Sequence, residues 1–285
     1  MALKIWLDGQ LVDKANATLS VYDHGLLYGD GVFEGIRVYS GKVFECKAHL
    51  DRLSASAQAI RLAMPYDAKQ LEAAMYETVR VNGLTDCYIR LILTRGVGCL
   101  GLSPLKCPKA GVIIIADSIE LYPREMYEKG MSIITSTLTR NHPNSIPPRV
   151  KSLNYLNNIM AKIEAIDAGV PEAMMLNQQG NVAECTGDNI FVVRKGEVQT
   201  PTTSDGILEG VTRALILQLC GKLEIPRMEK TLQRYDVYTA DECFLTGTAA
   251  EVVPVTNIDG RPIGSGEVGP ITKRLVAAFH KLTRE

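Results

Sequence analysis

Hydrophobic residues recur at two periods along this chain, every second residue in some stretches and every third or fourth in others. The changes of period mark out its strands and helices. Residues 4–12 alternate around Asp8-Gly9 and predict a hairpin. Residues 32–39 predict a strand, which Ser40-Gly41 turns and 42–46 return. Over 48–62, Leu50, Leu53, Ala57 and Ile60 fall on one helical face, and a second helix over 68–81 ends at Asn82-Gly83. The run 87–94 predicts a strand whose period of two sets Tyr88, Arg90 and Ile92 on one side. A short buried strand follows at 111–116.

In the second half, 131–138, 172–176, 181–184, 189–193 and 241–245 predict strands. From Ser152 onward Leu153, Leu156, Ile159, Met160 and Ile163 form an apolar stripe at helical spacing. Further helices are predicted from the stretch Leu208-Glu209-Gly210-Val211-Thr212-Arg213 to Cys220, and over 268–281. The segment 119–130 holds Pro123 and many charges and reads as an interdomain connection, leaving a smaller domain at 1–118 and a larger one at 131–285. Strands and helices alternate with antiparallel hairpins among them. That fits an α/β or α+β fold of two domains better than a doubly wound parallel sheet.

Composition narrows the function classes. A formal net charge of −1, with no basic run, gives no bulk reason to expect nucleic acid or a membrane surface as partner. No run of 18 apolar residues predicts a membrane span, and the start reaches Asp8-Gly9 too soon for a signal peptide. The seven cysteines form no C-x-x-C pair, and with four histidines they argue against a zinc site. Such scattered thiols suit a reducing cytoplasm.

Chemistry gathers at a few corners. Pro147-Pro148 hold an extended approach to Lys151, which therefore sits at a strand-to-helix corner. A lysine there is either an ordinary surface residue or, desolvated, one that forms a Schiff base with an aldehyde cofactor. Arg52 shares a helical face with His49, and Arg90 lies inside an apolar strand where a buried cation must find a partner. Gly210-Val211-Thr212 opens a helix, where free N–H groups attract an anion, and Gly247-Thr248 is a second glycine–hydroxyl corner. No P-loop and no dinucleotide fingerprint is present. A pyridoxal phosphate site needs a lysine, a phosphate cup, a carboxylate for the pyridine nitrogen and an anion seat for the substrate. Lys151, the Thr212 and Thr248 corners, Glu184 and the Arg90 region could supply them.

The pieces that carry a resemblance are Tyr28-Gly29-Asp30-Gly31-Val32-Phe33-Glu34-Gly35, His49-Leu50-Asp51-Arg52, Tyr88-Ile89-Arg90, Lys151-Ser152-Leu153-Asn154-Tyr155, Glu184-Cys185-Thr186-Gly187-Asp188-Asn189, Gly210-Val211-Thr212-Arg213 and Thr246-Gly247-Thr248-Ala249-Ala250-Glu251. In this order they resemble the fold-type IV pyridoxal phosphate enzymes, and closely the branched-chain amino acid aminotransferases, over nearly the whole chain. The resemblance implies a small N-terminal α/β domain, a larger C-terminal domain with a barrel-like sheet, and pyridoxal 5'-phosphate bound between them. By the same resemblance Lys151 forms the Schiff base and Glu184 pairs with the pyridine nitrogen. Tyr155 lies near the ring oxygen, and Arg52, Leu208, Gly210, Val211, Thr212, Gly247 and Thr248 complete the cofactor site. Tyr28, Phe33, Gly35, Tyr88, Arg90, Thr248, Ala249 and Ala250 form the substrate pocket.

The implied reaction is ping-pong transamination of leucine, isoleucine or valine with 2-oxoglutarate, passing through pyridoxamine 5'-phosphate, by a cytoplasmic homodimer or higher homo-oligomer. The alternatives are a D-amino acid or primary-amine transaminase and, less favoured, aminodeoxychorismate lyase. The chain lacks the Arg-x-His carboxylate trap of the D-amino acid enzymes. It departs from the branched-chain pattern in two places. Lys-Ser-Leu-Asn-Tyr is one residue shorter than the usual segment, and Asp188 stands where glutamate is commoner.

Overall fold

The computed structural model describes residues 3–284 of the chain, which divides into two compact units. The first comprises Met1–Ile119 with Val150–Asn154. Its elements are β1 (Lys4–Leu7), β2 (Gln10–Asp13), α1 (His24–Tyr28), β3 (Gly31–Tyr39), β4 (Lys42–Val43), α2 (Cys46–Ala59), α3 (Ala68–Val81), β5 (Cys87–Thr94) and β6 (Gly111–Asp117). They build a six-stranded antiparallel sheet in the order β2-β1-β6-β5-β3-β4. One sheet face carries Val32, Ile36, Ile89, Leu91 and Ile114 into a core closed by Leu50, Leu53 and Ala57 of α2 and Leu71, Met75 and Val79 of α3. These are the apolar positions the helical spacing picks out on α2. α3 begins on a capping box, in which Asp67 Oδ1 accepts from Gln70 N at 2.8 Å and Gln70 Oε1 from Asp67 N at 2.9 Å.

A short helix appears before β3, and one expected helix starts late. The glycine-rich stretch before β3 contains the short helix α1, capped by Asp23, whose Oδ1 accepts from Gly25 N at 2.7 Å. The helix expected from Ser152 starts at Leu156 instead. The reason is long-range pairing. Phe33 N donates to the Lys151 carbonyl and Leu153 N to the Gly31 carbonyl, each at 2.9 Å, so 151–153 run beside the start of β3.

The second unit comprises Glu120–Arg149 and Tyr155–Glu285. Its helices are α4 (Arg124–Lys129), α5 (Leu156–Asp167), α6 (Val211–Lys222), α7 (Arg234–Tyr238) and α8 (Pro270–Arg284). Its strands are β7 (Met131–Thr135), β8 (Glu172–Leu176), β9 (Val182–Cys185), β10 (Asn189–Arg194), β11 (Glu197–Thr200), β12 (Arg227–Glu229), β13 (Glu242–Gly247), β14 (Glu251–Ile258) and β15 (Arg261–Pro262). They form a nine-stranded mixed sheet, β12-β11-β10-β13-β14-β7-β8-β9, with β15 on β14. The sheet curls: a tight corner at 186–188 joins β9, at its end, to β10. One face buries Met131, Ile133, Met174, Ile190, Val192 and Leu245. On β10 and β13 the alternate positions Phe191 and Phe244 stack on the other face, 5.0 Å between centroids.

The stretch 119–130 is more than a connection, because Tyr122 is buried and from Glu120 on it belongs to this unit. The apolar stripe of α5 faces outward. Asn158, Ala161 and Ala165 are buried, while Leu156, Ile159, Met160 and Ile163 are 43–69% exposed.

Candidate active site

In the first unit, strand alternation divides the work of β3 between two faces. Glu34 points into the core, fully buried, and meets α2. Its Oε2 accepts from His49 Nδ1 at 2.8 Å and Arg52 Nη2 at 2.7 Å, and its Oε1 from Arg52 Nε at 2.8 Å. The spacing of three between His49 and Arg52 brings both to this one carboxylate. Burial alone would raise the Glu34 carboxyl, but the Arg52 charge and the hydrogen bonds from Arg52 and His49 win and hold it at about 2. Burial lowers His49, so the imidazole stays neutral and donates through Nδ1. Arg52 is thus a fork gripped along one side, its direction fixed by a buried ion pair.

A depressed carboxyl stabilises the fold at pH values above its unfolded pKa, and that contribution disappears as pH falls through the folded one. Glu34→Gln is therefore expected to cost about 3 kcal/mol at pH 7. The deficit should shrink as pH drops from 4.5 toward 2, which urea unfolding at several pH values would read.

The opposite face carries Phe33 and Gly35, aligned with Ile92 and Arg90 of β5. The Arg90 guanidinium lies 4.5 Å from the Phe33 ring centroid and 5.6 Å from that of Tyr88. Here the cation finds the partner that its apolar strand demands. A Cβ on Gly35 would lie 1.8 Å from the Tyr88 hydroxyl, so the glycine is what lets that ring lie across β3. Gly35→Ala should push the Tyr88 ring aside, raising KM several-fold for an amino-acid substrate with little change in Tm. An unchanged KM would show that the ring is not part of the pocket.

Lys151 is in the same unit. Its amide donates to Ser56 Oγ at 3.2 Å, and its Nζ lies 4.6 Å from the Phe33 ring centroid. Phe33, Gly35, Tyr88, Arg90 and Lys151 are therefore brought together. Tyr28 is placed differently: its hydroxyl accepts from Gly101 N at 2.9 Å, tying α1 to the loop after β5.

In the second unit, Glu184 is buried at the end of β9 inside a cage of donors. Oε1 accepts from Arg140 Nε at 2.9 Å; Oε2 accepts from Asn189 Nδ2 at 2.9 Å and from Leu208 N at 3.0 Å. Arg140 also donates through Nη1 to Asn158 Oδ1 at 3.0 Å, and Asn158 Nδ2 donates to the Thr186 carbonyl at 2.6 Å. Sequence reasoning missed Arg140 and Glu34 as supports. Glu34 lies inside a quoted motif, but Arg140 stands in an irregular stretch with no periodicity to mark it.

Both glycine–hydroxyl corners stand at element ends. Gly210 caps α6 with no side-chain cap, and a Cβ there would lie 2.0 Å from Asn189 Oδ1. The approach to the helix is thus close enough to require glycine, and Val211 and Thr212 present first-turn amides. Gly247 ends β13 in the same way, its Cβ position 2.1 Å from Asp188 Oδ1, and the turn through Thr248, Ala249 and Ala250 leads to β14. Tyr155 is half-buried immediately before α5.

One observation tests whether this half suits a phosphorylated pyridine. Thr246 is directly opposite Asn189 in the ladder, so the two side chains share a face. The Thr246 hydroxyl is buried without a hydrogen-bond partner. A buried hydroxyl kept on the face of Asn189, whose Nδ2 meets Glu184, fits a polar, anionic group.

The amino-transferase class IV family matches residues 31–258 of the chain. Among curated relatives, the branched-chain-amino-acid aminotransferase of Pseudomonas aeruginosa is 42% identical over 284 residues, covering 98% of this chain and 92% of its own. Among solved structures, the Escherichia coli branched-chain amino acid aminotransferase superposes with a TM-score of 0.96 at 36% identity, covering 99% of this chain and 95% of that one. The branched-chain amino acid aminotransferase of Thermobaculum terrenum, solved in its PLP-bound holo form, gives 0.90 at 31% identity, covering 100% and 95%. These likenesses agree with the α/β fold, and the chain belongs to the class IV aminotransferase family.

Proposed function

We propose that the protein transfers the amino group of L-leucine, L-isoleucine or L-valine to 2-oxoglutarate by a ping-pong reaction with pyridoxal 5'-phosphate. The observation that carries the substrate class is the Phe33–Tyr88–Arg90 face. Its aromatic rings suit an aliphatic side chain, and its one arginine suits the distal carboxylate of glutamate. A single pocket with both features serves both half-reactions. The relatives' shared activity on branched-chain substrates supports the same reading.

When bound, the cofactor supplies an aldehyde that takes up amino groups and a pyridine ring that withdraws electrons from the substrate α-carbon. Lys151 Nζ would hold the cofactor through that aldehyde and, as a free amine, would serve as the base that carries the substrate α-proton. Glu184 would favour a proton on the pyridine nitrogen, and Arg140, Asn189 and Leu208 fix where its carboxylate points. Arg52 of the first unit, and the Val211 and Thr212 amides and Thr248 of the second, would serve the phosphate. Tyr88 and the 248–250 turn take the substrate α-carboxylate.

We also assign a homo-oligomer and a cytoplasmic location. The exposed stripe of Leu156, Ile159, Met160 and Ile163 supports the first, since exposed apolar stripes of this kind mark subunit contacts. The seven free thiols support the second. Among the described residues no helix is long and apolar enough to cross a membrane.

The test is the visible spectrum of the purified protein with cofactor. L-leucine should bleach the long-wavelength band and 2-oxoglutarate restore it. Bleaching by D-alanine or an aryl-alkyl amine alone would overturn the substrate assignment and leave Lys151 and Glu184 in place.

A further inference from the structure

Behind the Glu184 cage lies a buried acid pair that the reaction does not use. Asp188 is on the corner joining β9 to β10, and Glu172 opens β8. Between their carboxyls sits the Tyr122 phenol, 3.2 Å from Asp188 Oδ2 and 3.4 Å from Glu172 Oε2. Glu172 is well supplied with donors. Its Oε1 accepts from Ala173 N at 2.7 Å, Thr186 N at 3.1 Å and Thr186 Oγ1 at 2.5 Å, and its Oε2 faces Lys162 Nζ at 3.5 Å. Glu172 is therefore the member of the pair whose oxygens are already held by donors.

A phenol has one hydrogen. If it donates to the Glu172 carboxylate, the Asp188 carboxyl must donate to the phenol oxygen, and to do so it must hold a proton. We propose that Asp188 is a positioning residue. Uncharged, it bridges through the Tyr122 hydroxyl to the Glu172 carboxylate and so fixes the 186–188 corner that carries Glu184 and Asn189.

The connections run in both directions from this corner. Glu172 grips the Thr186 amide and hydroxyl, while the Thr186 carbonyl is held by Asn158, which also meets Arg140, the partner of Glu184. The Asp188 carboxyl itself packs under Gly247, immediately before the 248–250 turn, where a Cβ would be 2.1 Å away. The shorter aspartate in place of the commoner glutamate fits this confined seat. The charged and titratable groups facing Asp188 are Glu172 from β8, Lys162 from α5, Cys185 and Glu184 from β9, and Tyr122. Burial, then the Glu172 charge, pushes the Asp188 carboxyl up to about 7. The Tyr122 phenol and Cys185 thiol are pushed up, chiefly by burial, and stay protonated.

A carboxyl raised in the fold stabilises it fully below its unfolded pKa, and this contribution is lost as pH rises through the folded value. Urea unfolding of the cofactor-free full-length chain between pH 5.5 and 8.5 should show this. The wild type should lose roughly thirtyfold more of its folding equilibrium constant than Asp188→Asn, whose amide imitates the protonated acid. Parallel curves would mean an ionised Asp188 and would overturn the idea. Infrared difference spectra of the wild type give a second reading that needs no variant. A protonated-carboxyl band at pH 6 that disappears at alkaline pH is expected, and no such band would be equally fatal. The positioning role rests on the proposed task of Glu184 and is read separately. Whatever its absolute level, kcat/KM of Asp188→Asn should lack an alkaline decline that the wild type shows. Identical pH profiles would reduce Asp188 to a packing residue, while the unfolding data would still report its proton.

Discussion

Lys151→Ala is expected to lose amino-group transfer by at least about 10⁴-fold, the upper range for a positioned acid–base group, because it removes the covalent anchor as well as the proton carrier. The fold should survive. The ladder bonds at this position belong to the main chain, with the carbonyl accepting from Phe33 N and the amide donating to Ser56 Oγ. Alanine keeps both. The side chain lies against the Phe33 ring, outside the apolar core of its unit, so a Tm within a few degrees of wild type is expected. Cofactor should still bind through its other contacts, without the band that the lysine linkage gives. Turnover near the wild-type rate would refute the mechanism.

Glu184→Gln is expected to reduce turnover by about 10²–10³, the usual loss when one preorganised charge is removed from a reacting centre. It should also destabilise the protein, for a reason unconnected with catalysis. Arg140 is 8% exposed, and neutralising its partner leaves a buried cation uncompensated, typically costing about 3–5 kcal/mol. The two effects separate in a double variant. Adding Arg140→Met to Glu184→Gln should recover much of the stability while activity stays low. Recovery of both would show that Glu184 acts only as the anchor of Arg140.

The most informative sequence patterns are those closed within one element. The α3 and β5 boundaries coincide with the apolar periodicity, because capping by Asp67 and strict alternation are both local. Of the motif residues, Phe33, Tyr88, Arg90 and Lys151 come together in the first unit. What the sequence hides is set by distant partners. Ser152 and Leu153 look helical and, with Lys151, are drawn into pairing by residues more than a hundred positions earlier. β14 carries Pro254 in mid-strand and a register shift at Val255/Asn257, features that argue against a central strand, yet it pairs with both β13 and β7. Arg140 is legible only through the carboxylate it meets 44 positions later. The α5 stripe is apolar as its spacing says, but periodicity shows which residues share a face and not whether that face turns inward.

β3 holds Arg52 in place from one face and carries the proposed substrate wall on the other, and adjacent residues, Phe33 and Glu34, stand on the two faces. Inserting or deleting one residue in this strand would exchange the faces, putting a carboxylate against Tyr88 and Arg90 and a phenyl ring against His49. Evolutionary drift in length is therefore closed to this strand, while the exposed Ser40-Gly41 turn beyond it can absorb extra residues. Variation in substrate preference must come from side-chain exchange at fixed register, and the odd-numbered positions of β3 are where it can occur without disturbing the grip on Arg52.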